Sequence, residues 1–376
     1  MSHININIKS NCSGCYSCEN ICPNKCIEMK VDFEGFWYPE VDNSKCIDCG
    51  LCEKTCPIIN SRDNNKNIPD AYACYSKDEK IVKISSSGGI FTLLASQIIN
   101  RGGVVFGAAF NENYDVEHKK ITRIKDLELL RGSKYVQSNL GKTFLQVKEL
   151  LNQGTLVYFS GTPCQIDGLL CFLDKKYDNL ICQDIVCHGV PSPKVWKLYL
   201  KKFKLQNNVS ISFRDKTSGW ENYSFSIKDN KGKFIQLARD NDYMKVFLNN
   251  LCLRPSCYNC HSKSLSRNSD LTLADFWGAK EIYPQFYNDK GISLVLINSK
   301  KGNHLFRDIV KQTNYIKVDI LNVIKNNSSI NKSAVLPVER ENFFEDIQKK
   351  SFNKVTKKYV KVPIILKLKR LIRDFL

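Results

Sequence analysis

Along this chain the spacing of apolar residues switches repeatedly between the helical and the extended period. Ile90 to Ile99 repeats at helical intervals and Gly102–Gly103 closes it, which predicts a helix. Val104 to Phe110 then reads as a strand. Thr155–Phe159 and Leu180–Val186 are short β-type runs. Each leads through a turn into a helical pattern, Gln165–Leu173 and the stretch after Pro193. Strand, turn and helix twice over predict a parallel βαβ unit. Neighbouring parallel strands share a carboxyl edge, where α/β sheets place ligands, so Cys164 and Cys187 are expected on one rim. Residues 209–214, 223–229 and 233–239 alternate as strands, with Asn230-Lys231-Gly232 as the hairpin between the last two. A helix from about Asp242 leads to Cys252, Cys257 and Cys260. Asp270–Phe276 and Ser293–Asn298 are further strands. The polar stretch 60–68 reads as a linker. The chain thus divides into 1–60, 69–150, 151–320 and a tail, 321–376.

A length of 376 residues suits two or three domains, and the hydrophobic fraction of 43% is ordinary for a protein with real cores. There is no run of 18 apolar residues, so no transmembrane span is expected. Met1-Ser2-His3-Ile4-Asn5 lacks a basic region followed by an apolar core, so no secretory signal is read there. The expected location is the cytoplasm. In that reducing compartment 17 cysteines suggest metal ligation rather than disulfides.

Charge adds a contrast. The net charge is +18, yet residues 1–60 hold five Lys against eight Asp and Glu, so the remainder is strongly basic. A basic body suits a phosphorylated or polyanionic small molecule, or an acidic protein partner. Nucleic acid is not expected, because no basic motif is interleaved with aromatics. Residues 354–376 carry eight Lys and Arg against one Asp. After Pro363, the residues Ile364, Leu368, Leu371, Ile372 and Phe375 share one helical face. Such a helix can lie on an anionic membrane surface, peripheral to the inner face, or pack on a partner or its own body.

The strongest chemistry is near the start. Cys12, Cys15, Cys18 and Cys22 follow the spacing C-x2-C-x2-C-x3-C, with Pro23 behind them. Cys46, Cys49, Cys52 and Cys56 repeat it, with Pro57 behind. This is the bacterial ferredoxin run, in which three close thiolates wrap one 4Fe–4S cube and the fourth crosses to the other. Cys12, Cys15, Cys18 and Cys56 are therefore expected on one cube, and Cys46, Cys49, Cys52 and Cys22 on the second. Structural zinc uses four thiolates in two separated pairs and does not fit two such runs. Cys26 is expected to be a small buried residue, not a ligand.

Other signals are weaker. Ser85-Ser86-Ser87-Gly88-Gly89 opens the helix at Ile90, either as a phosphate cradle or by plain serine capping. Arg131–Ser138 mixes Gly, Ser and two cations, as a phosphate or ribose loop or an ordinary loop does. Cys257 and Cys260 form a C-x2-C pair that Cys164 and Cys187 could complete into a third cube, with Cys252 as the rival ligand. Zinc, or unconnected cysteines, stays open on spacing alone. His188 and His261 are expected to be hydrogen-bonded bystanders. A Cys187–His188 hydrolase is not expected, since adjacent residues at a strand end point to opposite sides.

The ferredoxin pair is followed in order by several further motifs. They are Ser86-Ser87-Gly88-Gly89-Ile90-Phe91, Gly161-Thr162-Pro163-Cys164-Gln165, Cys187-His188-Gly189-Val190-Pro191-Ser192, Arg254-Pro255-Ser256-Cys257-Tyr258-Asn259-Cys260 and Ala274-Asp275-Phe276-Trp277-Gly278. In that order and spacing the sequence resembles the family of coenzyme F420 hydrogenase/dehydrogenase β subunits, from about residue 8 to 315. The resemblance implies FAD and a 4Fe–4S cluster in the body, the latter on Cys164, Cys187, Cys257 and Cys260. It implies FAD contacts at Ser87, Gly88, Gly89, Lys134, Tyr135 and Gln137, with Gly161 and Thr162 beside them. The Cys-His-Gly form at 187–189 resembles bacterial members found among polysaccharide-synthesis genes and departs from archaeal enzymes. The expected fold is α+β multi-domain: an N-terminal dicluster ferredoxin-type domain, then an α/β flavin-binding body with a mixed sheet. The expected function is electron passage between a hydride carrier like F420 and a one-electron redox protein, a ferredoxin or reductase subunit. The alternative is a ferredoxin-linked adaptor for capsule or exopolysaccharide synthesis, without F420 activity.

Overall fold

A computed structural model describes residues 4–5, 8–60, 68–203, 205 and 209–360. The basic helix expected after Pro363 lies outside the described residues. Thirteen strands are present among them. The N-terminal domain folds around one hairpin, β1 (Ile27–Val31) and β2 (Trp37–Val41). Each cysteine run wraps outside it and carries a short helix, Ser17–Ile21 or Leu51–Lys54.

The body is built on one eight-stranded mixed sheet. Its strands are β3 (Asp70–Ser76), β4 (Val104–Phe110), β5 (Val116–Ile121), β6 (Val157–Gly161) and β7 (Leu180–Ile185), then β11 (Leu271–Asp275), β12 (Ser293–Ile297) and β13 (Thr313–Val318). The spatial order is β13-β3-β12-β11-β7-β6-β4-β5. At the centre β4, β6, β7 and β11 run parallel, so the expected βαβ unit is present. The flanking pairs are antiparallel. A separate three-stranded sheet, β8 (Ser210–Asp215), β9 (Ser224–Asp229) and β10 (Gly232–Leu237), folds over one side. The stretches 69–150 and 151–320 do not form separate sheets. β3 crosses to lie between β12 and β13, because its own neighbours in sequence supply no partner strand.

Two helices position the chemistry. Ile90–Asn100 buries Ile90, Leu93, Leu94, Ala95 and Ile98, the spacing of one helical face. No serine caps it. Its cap is Gly89 at φ +87, a left-handed conformation that glycine adopts freely. The helix Pro163–Leu173 follows β6 directly. Thr162 and Gln165 close a capping box, and Pro163 occupies the first turn where a missing N–H costs nothing.

The N-terminal domain is not a free appendage. Tyr16, Ile27 and Met29 share one buried apolar cluster with Phe144, Phe159, Ile166 and Leu169 of the body. The tail also reaches across: Arg340 makes a bidentate ion pair with Glu34 at 2.7 and 2.5 Å. Among the described residues no helix is long and apolar enough to cross a membrane.

Candidate functional site

Two recesses of the N-terminal domain are each walled by four of the predicted cysteines. The first gathers Cys12, Cys15, Cys18 and Cys56 against Ile4, Tyr16, Met29 and Ile58. The second gathers Cys22, Cys46, Cys49 and Cys52 against Ile27, Ile47 and Leu51. Three cysteines of one run thus meet the fourth of the other, the crossed grouping that the spacing predicts. Left-handed Gly14 (φ +67) and Gly50 (φ +69) turn the loops tightly enough to do this. Four sulfurs around an apolar recess are a fitting donor set for an iron–sulfur cube. Burial pushes the Cys15 thiol up to about 11, so its thiolate needs a nearby cation such as iron. Cys26 is buried, as expected; its sulfur lies 3.3 Å from that of Cys22, beside the second recess. All 17 cysteines are free, as a ligand role requires.

The first recess abuts the Pro163–Leu173 helix. Ser17 donates its hydroxyl to the Gly168 carbonyl at 2.6 Å. A Cβ at Gly168 would stand 2.6 Å from Cys15 Cβ and 2.9 Å from its sulfur, so only glycine lets the loop approach. Cys164 sits four residues earlier, about one helical turn or 6 Å along the axis. The second recess faces outward: Cys49 is exposed, and Ile47 is 62% exposed beside it.

In the body, Cys164, Cys187, Cys257 and Cys260 converge although they are up to 96 positions apart. Burial raises the Cys164 thiol well above its ordinary range, and Cys260, Cys187 and Cys257 each raise it further by proximity. Thr162 Oγ1 lies 3.2 Å from Cys164 Sγ, and the Val190 N–H donates to Cys257 Sγ at 3.4 Å. The Lys263 ammonium donates to the Cys187 carbonyl. This set resembles the N-terminal ones in chemistry and fits a third cube. Cys252 is elsewhere, fully buried in the apolar core with Tyr243 and Phe247. His188 bonds Asn250 at 2.6 Å and His261 is exposed, so neither joins the cysteines.

A second assembly forms where five loops meet. Ser86 Oγ accepts from the Ser133 N–H at 2.8 Å, and Ser87 donates to the Ile292 carbonyl at 2.8 Å. Gly88 lies so close to β3 that a Cβ would meet the Cys74 carbonyl at 2.5 Å. Lys134 donates to the carbonyls of Leu129 and Arg131, at 3.0 and 2.8 Å. Burial, with Arg131 beside it, drops its pKa to about 7. Lys216 behaves alike: it donates to the carbonyls of Val82, Ser87 and Lys290, and burial brings it down to about 8. Two partly buried ammonium groups that donate to backbone carbonyls suit an anionic phosphate. Aromatic surface adjoins them. Tyr135 stacks on Phe247 at 4.8 Å, Trp220 on Trp277 at 5.2 Å, and Arg214 lies over Tyr223 at 3.9 Å. Asp275 ties Arg214 and Trp220 at 3.1 and 2.9 Å. These residues are compatible with a dinucleotide bearing a flat ring.

Ser87, Gly88, Gly89, Lys134 and Tyr135 therefore stand together, and three other candidates do not stand with them. Gln137 is buried against Arg254 at 3.3 Å, beside Gly14. Gly161 and Thr162 belong to the strand end and cap at Cys164. Sequence reasoning missed Arg214, Lys216 and Trp220. The Ala274–Gly278 motif was the sequence signal that pointed there.

Known families and proteins match the chain region by region. Residues 11–58 match the 4Fe–4S dicluster domain. Residues 71–144 match the N-terminal model of the coenzyme F420 hydrogenase/dehydrogenase beta subunit, and 154–322 match its C-terminal model. The chain is 22% identical to the F subunit of the F(420)H(2) dehydrogenase of Methanosarcina mazei over 268 residues, 66% of this chain and 71% of that protein. It is 39% identical over 71 residues to the I subunit of the NADH-quinone oxidoreductase of Pelobacter propionicus, 16% of this chain and 38% of that protein. A chain of the F420-reducing NiFe hydrogenase complex from Methanosarcina barkeri aligns at 16% identity with a TM-score of 0.48, covering 73% of this chain and 99% of that one. With both β-subunit regions present in order behind a dicluster domain, this chain is an iron–sulfur oxidoreductase that belongs to the family of coenzyme F420 hydrogenase/dehydrogenase β subunits.

Proposed function

We propose that the chain carries electrons between a hydride-carrying small molecule, F420-like, and a one-electron redox protein. Iron–sulfur cubes supply single-electron transfer, and FAD supplies the exchange between hydride and single electrons. The chain's own residues supply the positions. Cys12, Cys15, Cys18 and Cys56 would hold one cube, Cys22, Cys46, Cys49 and Cys52 the second, and Cys164, Cys187, Cys257 and Cys260 the third. Ser87, Gly88, Gly89 and Lys134 would hold the FAD phosphates, with Lys216 adding charge, and the half-buried Tyr135 and Trp277 would offer aromatic rings beside them. The basic body favours an anionic hydride carrier.

One observation carries this reading. The Pro163–Leu173 helix places Cys164 at its start and receives Cys15 one turn later at Gly168, so two ligand sets share one helix. The exposed Cys49 edge then faces the redox partner, in a reducing compartment where free thiols persist. Anaerobic purification with iron, sulfide and flavin quantified tests it. About twelve iron atoms and one FAD per chain are expected; eight iron atoms would remove the body cube. Protein with flavin and full iron that oxidises no hydride donor would instead be an electron-transfer adaptor.

A further inference from the structure

Among the described residues four arginines are buried, and they divide by what neutralises them. Arg214 faces Asp275 at 3.1 Å, Arg267 faces Asp184 at 3.6 Å, and Arg340 faces Glu34 at 2.5 Å. Arg254 is the most buried, with 0% exposure. Among the described residues no carboxylate lies within ion-pair distance of it. Its Nε donates to the Cys12 carbonyl at 2.8 Å, and Nη2 to the Trp37 carbonyl at 2.9 Å. Nη1 donates to Gln137 Oε1 at 3.3 Å, and Nη2 also reaches Cys12 Sγ at 3.5 Å. The Tyr38 ring covers one face at 4.2 Å. These partners satisfy its hydrogens but leave its charge uncompensated, which is costly inside a protein.

Four thiolates around a cube leave a net negative charge, which grows by one on reduction. Such a group in the first recess is the missing counter-charge. We propose, resting on the ligand sets above, that Arg254 raises the reduction potential of the Cys12 site and so draws electrons from the body into the N-terminal domain. A buried cation and an N–H···S bond stabilise the reduced, more negative form over the oxidised one. Position makes the effect one-sided. Arg254 stands three residues before Cys257 and its carbonyl accepts the Cys257 N–H at 2.9 Å, yet its guanidinium bonds the Cys12 sulfur. The step it favours moves one electron: the body site is oxidised and the Cys12 site reduced, with no bond formed or broken.

The test is a redox titration followed by EPR on the anaerobically purified full chain, wild type, Arg254→Met and Arg254→Lys. In Arg254→Met with full iron, the ratio of reduced to oxidised Cys12 site at fixed potential is expected to fall at least tenfold, about 59 mV for one electron. The Lys variant keeps the charge and is expected to fall less, and the second N-terminal site to stay unmoved. Unchanged potentials at full iron would overturn the proposal. So would loss of about four irons in both variants beside an intact wild type, which would make Arg254 a strut. Wild-type protein without iron in the N-terminal domain would instead sink the ligand reading itself, before any variant is compared.

Discussion

The N-terminal domain and the body hold similar sets of four cysteines but assemble them in opposite ways. In the first, three of four thiols come from one loop of seven residues, such as Cys12–Cys18, and the backbone does the gathering. In the body, Cys164 starts a helix, Cys187 follows a strand, and Cys257 and Cys260 sit on a 3-10 turn. There the sheet does the gathering, since β6 and β7 are parallel neighbours that end on one rim. A local set is encoded by spacing, whereas a distant set requires a finished fold. The body site should therefore be the more sensitive to global destabilisation.

The largest expected effect separates the two directly. Cys15→Ser and Cys164→Ser should each drop iron from about twelve to about eight per chain and abolish electron delivery to the external acceptor. Cys252→Ala should keep full iron, because Cys252 lies in the apolar core. Iron analysis decides, and loss of iron in Cys252→Ala would break the body grouping.

Next comes the tie between tail and N-terminal domain. Arg340→Met leaves Glu34 without its partner, and removing one member of a buried pair costs about 3–5 kcal/mol. Thermal unfolding should fall accordingly, with the body cube lost before the N-terminal pair. The reverse order would contradict the contrast drawn above.

Gly168→Ala is a smaller change at the meeting of the two regions. The added methyl must displace the Cys15 loop, and such overpacking costs about 1–3 kcal/mol. Weakened magnetic coupling between the Cys164 and Cys15 sites, at unchanged iron, is the expected EPR result. Coupling equal to wild type would show that the shared helix is not the path.

The smallest effect concerns the loops proposed to hold the flavin. Lys134 is shifted down to about 7 by burial, so above that pH binding an anion beside it requires the lysine to take up a proton. Flavin affinity should weaken by up to about tenfold per pH unit above 7, and Lys134→Met should flatten the profile. The same shift acts on the protein without ligand. The unfolded chain binds more protons between about 7 and 10.5, so this group's stability penalty grows as pH falls through that window. A flat flavin profile in the unaltered protein would remove Lys134 from the phosphate site.

Elements with strong periodic patterns were legible from the residues. β4, β6, β7, β9, β11 and β12 lie where the apolar runs predict, within a few residues. β3, Asp-Ala-Tyr-Ala-Cys-Tyr-Ser, was not, because its alanines carry little strand preference and its partners are more than 200 positions away. β5, Val-Glu-His-Lys-Lys-Ile, is a polar edge strand whose only strong signals are its two ends. Among site residues, Gln137 shows the limit most clearly. Two positions from Tyr135, it turns away from the Ser87 and Lys134 loops to meet Arg254.

The residues by themselves determined the two N-terminal ligand sets, since a short cysteine spacing leaves the backbone one way to surround a small cube. They also determined the parallel unit that carries Cys164 and Cys187. Spacing left Cys252 as a rival to Cys257 and Cys260 and the family resemblance favoured the latter pair, whereas only tertiary structure decided that Lys216 meets the Ser87 loop and that Arg254 faces a sulfur instead of a carboxylate. Those contacts join segments tens to hundreds of residues apart, and no local pattern records which of many buried groups will be neighbours once the chain closes.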